Sequence, residues 1–220
     1  MSYLGSKGAS GAYQLIIGLM PPHNTYIESH LGSGVVMKKK PRSARSIGLD
    51  LCSKALSDFE HDGVETYQVD ANQYLNQFDY KSNGETLVYC DPPYLPETRT
   101  SKERYNFEYT RADHIKLLKT IRDLPAKVII SGYPSKLYDE MLSDWNKKEF
   151  QVMSRGGVRT ECVWFNFEPS SKHWATYAGK DFTDRQRISR KAERWAKKYQ
   201  ALSENERLAI MAALLESHSQ

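Results

Sequence analysis

The chain has 220 residues, 40% hydrophobic and 26% charged, with a formal net charge of +4. That length and balance suit one α/β domain with a full core and a modest appendage, and exclude a disordered or fibrous chain. No apolar run approaches the ~20 residues of a membrane span, and the first residues lack the charged-then-apolar pattern of a secretory signal. Cys52, Cys90 and Cys162 have neither metal-ligand nor disulfide spacing, which predicts a reduced, cytoplasmic protein without a zinc site.

Residues 1–7, from Met1 through Tyr3 to Lys7, form a polar, glycine-containing lead-in. Leu15, Ile16, Leu19 and Met20 predict a short amphipathic helix over residues 11–20, ended by Pro21-Pro22. Residues 25–34 read as a strand running into a glycine turn. Gly32-x-Gly34 ahead of a helix lets the backbone approach a ligand closely and offers a helix N-terminus to an anion, although the pattern is a common one. Lys38-Lys39-Lys40-Pro41-Arg42 is a basic loop, either a nucleic-acid contact or simply solvated.

Residues 46–51 form the next short strand, with Asp50 at its end. A carboxylate at that point can accept hydrogen bonds from ribose hydroxyls. Its other reading is the N-cap of a helix over residues 53–60, and the two roles are compatible. Residues 66–71 read as a third strand with a terminal acid, Asp70. Asp50, Asp70 and Asp91 are spaced at close to twenty residues, the rhythm that strand–helix–strand repeats produce.

The stretch that organises the chain is Thr86-Leu87-Val88-Tyr89-Cys90-Asp91-Pro92-Pro93-Tyr94. Its apolar run reads as a buried strand of a parallel sheet. Two prolines then stop it, because each fixes φ and lacks an N–H. The result is a stiff turn at the carboxyl end of a strand, where open α/β sheets place their ligands. Asp91 and the Pro92 carbonyl there can both accept hydrogen bonds from an exocyclic amine of a nucleobase, favouring the pyramidal nitrogen that attacks, and Tyr94 can stack on the base. The bland alternative is a structural Asp-Pro turn.

After Tyr94 comes a polar, aromatic-rich stretch without a core pattern, long enough to suggest function. It reads as a lid over nucleic acid, with Arg99, Lys102 and Arg104 on phosphates and Tyr105 or Phe107 at a base. The alternative is a surface excursion. A helix over 110–123 turns Ile115, Leu118 and Ile121 inward, with His114 and Lys116 on other faces. A strand over 127–133, a helix over 135–145 with Leu137, Met141 and Leu142 inward, and two closing strands over 150–153 and 161–167 follow. The turn between those strands carries Arg155, a candidate phosphate or base contact.

Residues 169–179 read as a linker. A basic helix over 183–200 holds Arg187, Arg190 and Arg194. Residues 172–200 carry nine Lys/Arg against three Asp/Glu, so the remainder is about −2 and the tail suggests a polyanionic partner. Ser203-x-x-Glu206 is close to a capping box for a last helix that is apolar at Leu208, Ile210, Met211, Leu214 and Leu215. The pair suits a DNA-binding appendage or a dimerisation hairpin, which leaves monomer and homodimer both open.

Asp91-Pro92-Pro93-Tyr94 resembles the catalytic motif of the DNA adenine-N6 methyltransferases. Over about residues 1–168 the chain resembles their Dam-like, D12-class branch, in the short form found in phages and prophages. The resemblance implies a class I S-adenosylmethionine methyltransferase fold. That is a Rossmann-like, seven-stranded, mostly parallel α/β sheet with flanking helices and its last two strands as a hairpin. Residues 1–168 would be the catalytic domain, with 95–109 as a lid and DNA-recognition loop, and 169–220 a basic helical appendage. The implied cofactor is S-adenosylmethionine and the implied partner duplex DNA, with no metal. The setting would be a bacterial cytoplasm with a phage-encoded enzyme, serving protection against restriction or one half of a restriction-modification pair.

Residue by residue, the resemblance gives Asp91, Pro92, Pro93 and Tyr94 the catalytic role, acting on a flipped-out adenine with Asp91 also beside the cofactor. Tyr3 and Lys7 match positions of the family's lead-in, with Lys7 near the cofactor carboxylate or the target base. Glu28, Gly32 and Gly34 match the methionine-end pocket, Asp50 the ribose site, and Asp70 the site beside the cofactor adenine. His30 departs from the family, which has an aromatic or small residue there. Larger members insert a recognition domain between the third strand and the catalytic one. Asp70 and Asp91 are too close for that here, so a short or relaxed target sequence is expected. Alternatives are methylation of adenine in RNA and a non-catalytic DNA-binding protein retaining the fold. Cytosine-N4 and protein-amide enzymes usually carry Ser or Asn where Asp91 stands.

Overall fold

The computed structural model describes residue 7, residues 12–98, 107–154 and 157–169, residue 179 and residues 181–218, with side chains for all of these except 153, 154 and 215–218. By backbone packing the chain divides into two units, Met1–Trp174 and Ala175–Gln220.

The first unit is built on a seven-stranded sheet. Its strands are β1 (Thr25–Glu28), β2 (Arg45–Asp50), β3 (Glu65–Gln68), β4 (Thr86–Cys90), β5 (Lys127–Gly132), β6 (Asn146–Ser154) and β7 (Gly157–Phe165). Their order is β3-β2-β1-β4-β5-β7-β6. The first five are parallel to one another, and β7 runs antiparallel between β5 and β6. The chain winds outward from β1 to β3, then returns to the other side of β1 with β4. That reversal opens a crevice at the carboxyl ends of β1 and β4. This is the expected seven-stranded, mostly parallel sheet with its last two strands as a hairpin, and two further helices follow it in the chain.

β4 is central and all five of its residues are buried, which explains its unbroken apolar sequence. Val88 and Cys90 share one core cluster with Ile27, Leu49, Val128 and Ile130. Leu75 of α4 (Ala71–Gln77), three residues of α5 (Arg111–Arg122) and Leu137 of α6 (Lys136–Met141) belong to the same cluster. Leu87 and Tyr89 alternate to the opposite face and are buried there. Helix α5 starts at a full capping box, Thr110 with Asp113, and carries Lys119 and Arg122 in its last turn, where the helix dipole favours cations. Its buried stripe is His114, Leu117, Leu118 and Ile121. His114 therefore faces the core, contrary to the apolar reading, because its Nδ1 shares a 2.9 Å hydrogen bond with the Tyr138 hydroxyl.

The remaining helices of the unit are α1 (Ala12–Leu19), α2 (Val35–Lys39) and α3 (Ser53–Ser57). The expected helix over 135–145 ends at Met141, and the expected strand at 150 starts at Asn146. Asn146-Lys147-Lys148-Glu149 is a polar run on an edge strand, paired with residues 162–165 of β7. Edge strands tolerate such charge, so no apolar pattern reveals them.

The second unit contains α7 (Phe182–Gln200) and α8 (Glu204–His218). Asp181 caps α7, and Ser203 and Glu206 form the box that opens α8. Phe182, Trp195, Leu208, Met211 and Leu214 are exposed. None of the described helices is long and apolar enough to cross a membrane.

Candidate active site

The site residues stand at the carboxyl ends of the parallel strands. Asp91 follows β4, held by the extended Pro92-Pro93 turn. Its Oδ1 accepts two hydrogen bonds, from Lys7 Nζ and from Ser131 Oγ, each 2.7 Å long. Ser131 lies on β5, the neighbour of β4, and its Oγ also shares a 3.0 Å hydrogen bond with the Tyr89 hydroxyl. Among the described residues, Asp91 Oδ2 has no partner.

Lys7 reaches into this cluster from the lead-in and is buried. Besides Asp91, its Nζ donates to the Tyr94 hydroxyl at 2.5 Å and lies 4.7 Å from that ring's centroid. The Tyr94 hydroxyl in turn donates to Glu161 Oε2 at 3.1 Å, and Glu161 Oε2 is 3.8 Å from Lys7 Nζ. Tyr133 meets Tyr94 edge-on at 4.5 Å. Among the described residues, the cluster thus brings together two carboxyl groups and one amine.

On the other side of the crevice, Asp50 at the end of β2 accepts Gly32 N–H on Oδ2 and Cys52 N–H on Oδ1, both at 2.8 Å. Helix α3 has Cys52 as its N-cap, so Asp50 braces the glycine turn rather than capping a helix. Gly32 and Gly34 both have positive φ, 50° and 61°, a conformation that favours glycine. Asp70 is the N-cap of α4, accepting Gln73 N–H at 3.0 Å. Glu28, at the end of β1, is buried and takes the Tyr26 hydroxyl at 3.0 Å. Burial pushes its carboxyl up to about 8, and the charge of Asp91 works in the same direction, against the Tyr26 hydrogen bond.

His30 lies between these two sides. Its Nδ1 is 2.9 Å from Ser29 Oγ and its Nε2 3.0 Å from the Tyr109 hydroxyl. Burial pushes the imidazole down to about 3, so it stays neutral. Tyr109 is buried, and its phenol is raised above the ordinary value by burial and then by nearby Asp70. The His30–Tyr109 bond ties the end of the loop that leaves Tyr94 back to the turn after β1.

The structure therefore gathers Lys7, Asp91 and Tyr94 in one cluster and places Asp50, Gly32 and Gly34 in another. Lys7 stands against Asp91 and Tyr94. Tyr94 is only 5% exposed, so it is not an open platform for a base. The 95–109 loop is anchored at both ends by buried Leu95 and Tyr109, while Phe107 is 48% exposed. Tyr3, Arg99, Lys102, Arg104, Tyr105 and Arg155 lie outside the described residues. Arg187, Arg190 and Arg194 are exposed on α7, and Arg187 is paired with Asp184 at 2.7 Å. No group of three or more metal-ligating side chains occurs among the described residues.

Sequence reasoning missed Ser131, Glu161 and the His30–Tyr109 pair. Ser131 carried a signal, a polar residue at the end of the apolar Val128-Ile129-Ile130 run. Glu161 carried none, because its place depends on β7 running antiparallel beside β5.

A family model described as D12 class N6 adenine-specific DNA methyltransferase matches residues 50–160, half of the chain, from Asp50 through the Asp91 motif and Ser131. No curated protein sequence matches the chain. Among solved structures, a conserved hypothetical protein of Streptococcus pyogenes is similar at 15% identity and a TM-score of 0.49, over 74% of this chain and 99% of that one. An S-adenosylmethionine-dependent methyltransferase of Agrobacterium tumefaciens is similar at 14% identity and a TM-score of 0.47, over 72% and 60%. An rRNA methylase of Streptococcus thermophilus is similar at 12% identity and a TM-score of 0.44, over 70% and 93%. The family match spans the strand-end acids on both sides of the crevice, and by it the chain belongs to the D12 class N6 adenine-specific DNA methyltransferase family, whose methyl donor is S-adenosylmethionine.

Proposed function

We propose that the enzyme methylates the N6 amine of adenine in duplex DNA. The observation that carries this reading is the divided carboxylate of Asp91. Oδ1 is taken by Lys7 and Ser131, while Oδ2 has no partner among the described residues. An exocyclic adenine amine is a poor nucleophile because its lone pair is delocalised into the ring. Oδ2 and the Pro92 carbonyl, beside which Pro93 offers no competing N–H, would accept hydrogen bonds from its two N–H groups and favour the pyramidal nitrogen.

S-adenosylmethionine supplies an electrophilic methyl carbon on a sulfonium. The N–C bond forms as the methyl carbon leaves its sulfur, the adenine nitrogen becomes cationic only then, and its surplus proton is lost to solvent afterwards, so no base has to act beforehand, and catalysis is positioning plus electrostatics. The carboxyl groups of Asp91 and Glu161, both beside Lys7, suit that positive charge.

The second cluster fits the cofactor. Each oxygen of Asp50 holds one backbone N–H and has a further acceptor site for a ribose hydroxyl. Gly32 and Gly34 take the left-handed backbone that the turn requires, and the family pattern assigns Glu28 and Gly32 to the methionine end, Tyr3 and Lys7 to the lead-in, with Lys7 near the cofactor carboxylate or the target base, and Asp70 to the adenine. The target base must leave the duplex stack, at a few kcal/mol. Stacking on an aromatic ring, worth roughly 1–3 kcal/mol, offsets that. Tyr94 can serve only if its neighbours move, whereas Tyr133 is half-buried beside it. We assign the DNA path to the 95–109 loop, the Arg155 turn and the basic face of α7.

The test is transfer from labelled S-adenosylmethionine to unmethylated duplex DNA, beside Asp91→Ala, with digestion to nucleosides. N6-methyladenine that disappears in the variant is the expected result. Intact cofactor binding without transfer to DNA overturns the reading, and structured RNA becomes the next substrate to assay.

A further inference from the structure

Glu161 lies outside the matched family segment and outside the Asp91 motif, yet its carboxylate completes the cluster around Lys7. It belongs to β7, whose Cys162 pairs with Gly132 of β5, and this register brings Glu161 level with the strand-end crevice. Its side chain is only 12% exposed. Oε2 accepts the Tyr94 hydroxyl at 3.1 Å, and that same hydroxyl accepts from Lys7 Nζ. We infer that Glu161 is a positioning residue for methyl transfer, acting through Tyr94 and Lys7 to hold the Asp91 carboxylate with one oxygen free for the substrate amine. The inference rests on the proposed reaction at this same site.

Directed hydrogen bonds link these residues. A phenol hydroxyl has a single proton. Because Glu161 takes that proton, the Tyr94 oxygen turns its lone pairs toward Lys7. Among the described residues, Lys7 donates to Asp91 Oδ1 and the Tyr94 hydroxyl, and these bonds fix its direction relative to Asp91. A neutral residue at 161 leaves the buried ammonium with one carboxylate instead of two among the described residues and loosens its seat against Asp91. It also removes half of the negative charge that faces the cation formed in the reaction. Both changes act on the rate of transfer rather than on the binding of cofactor or DNA.

The experiment compares the full-length chain with Glu161→Gln, Tyr94→Phe and the double variant, measuring kcat and KM for both substrates and the thermal midpoint. Glutamine is isosteric with glutamate and can still accept the Tyr94 hydroxyl, so loss of charge is tested without loss of packing. The expected result for Glu161→Gln is a fall in kcat of at least about tenfold, with both KM values within about threefold of wild type and the thermal midpoint unchanged. Because Glu161 acts through Tyr94, the double variant is expected to be no slower than the slower single variant. A kcat within about twofold of wild type, or fully additive losses, overturns the inference.

A separate readout does not depend on DNA: acylation of Lys7 by an amine reagent, followed by peptide mass spectrometry in the wild type and in Glu161→Ala. Faster labelling of the variant is expected, and equal labelling overturns the inference. If the wild-type chain transfers no methyl to DNA, the adenine-N6 reading fails, and the labelling alone decides the role of Glu161.

Discussion

Ser131 Oγ donates to Asp91 Oδ1 at 2.7 Å, from the end of the strand beside the one that delivers the acid. The two ends are brought level by the parallel pairing of Cys90 with Ile130. Ser131 is fully buried and also touches the Tyr89 hydroxyl, so its own rotamer is fixed. Ser131→Ala should free the Asp91 carboxylate to rotate and lower kcat by about tenfold, with the cofactor Kd unchanged. Steady-state kinetics beside calorimetric cofactor titration check this. An equal loss in Kd would instead place Ser131 on the cofactor side.

Gly34 combines a φ of 61° with a crowded surrounding, because a Cβ there would overlap the Phe59 ring. Phe59 is itself buried. Gly34→Ala should therefore cost about 1 kcal/mol for the left-handed backbone and a further ~1–3 kcal/mol for overpacking. A fall in thermal midpoint of roughly 5–15 °C is expected in a scan of the purified variant. A midpoint within a degree or two of wild type would mean that Phe59 swings aside freely.

Most of the sheet was legible in the chain because its central strands are buried on both faces and read as apolar runs ended by acids or prolines. Thr86 to Tyr94 marks both the catalytic strand and its stop. What escaped was set by partners distant in sequence. His114 is polar yet fully buried, because Tyr138 supplies its hydrogen bond. The polar start of β6 pairs as an edge strand, and Glu161 reaches the site only through the antiparallel return of β7. Asp50 was legible as a strand-end acid, but its grip on Gly32 depends on the turn geometry after a different strand.

Glu28 gives the fold a pH dependence. Its carboxyl titrates at about 8 in the folded chain against an ordinary 4.5, chiefly because it is buried. Between those values the folded state holds more protons than the unfolded one. This contribution to stability is therefore full below about pH 4.5 and declines as pH rises to about 8. The slope is at most about 1.4 kcal/mol per pH unit. Lys40 runs the other way, pushed down from 10.5 to about 8 by burial, so its contribution rises with pH above about 8. Thermal midpoints should pass through a minimum near that pH. In Glu28→Gln the decline on the acid side should flatten. A variant that keeps the full decline would assign it to other groups.

Target breadth follows from the chain between Asp70 and Asp91. It holds only α4, a short loop and β4, with no room for a recognition domain. Base readout must come from few side chains, and each good bidentate contact contributes only about 1–3 kcal/mol of discrimination. Mapping methylated adenines in exposed genomic DNA should reveal a short or degenerate context. A single long site taking nearly all methyl groups would contradict this.

Arg187, Arg190 and Arg194 recur on α7 at three- and four-residue spacing, so they share one face of an exposed helix. Arg187 is already paired with Asp184, which leaves Arg190 and Arg194 as the stronger candidates for phosphate. Each phosphate neutralised on duplex DNA contributes about 0.9 to the slope of log affinity against log salt. The double variant Arg190→Ala/Arg194→Ala should therefore bind duplex DNA more weakly at low salt and lower that slope by about 1.8, with cofactor binding unaffected. Fluorescence anisotropy across a salt series gives both numbers. An unchanged slope would move the phosphate contacts to the basic residues near the crevice. The exposed Leu208, Met211 and Leu214 of α8 would then become the first place to look for self-association, read by sedimentation of the same variant.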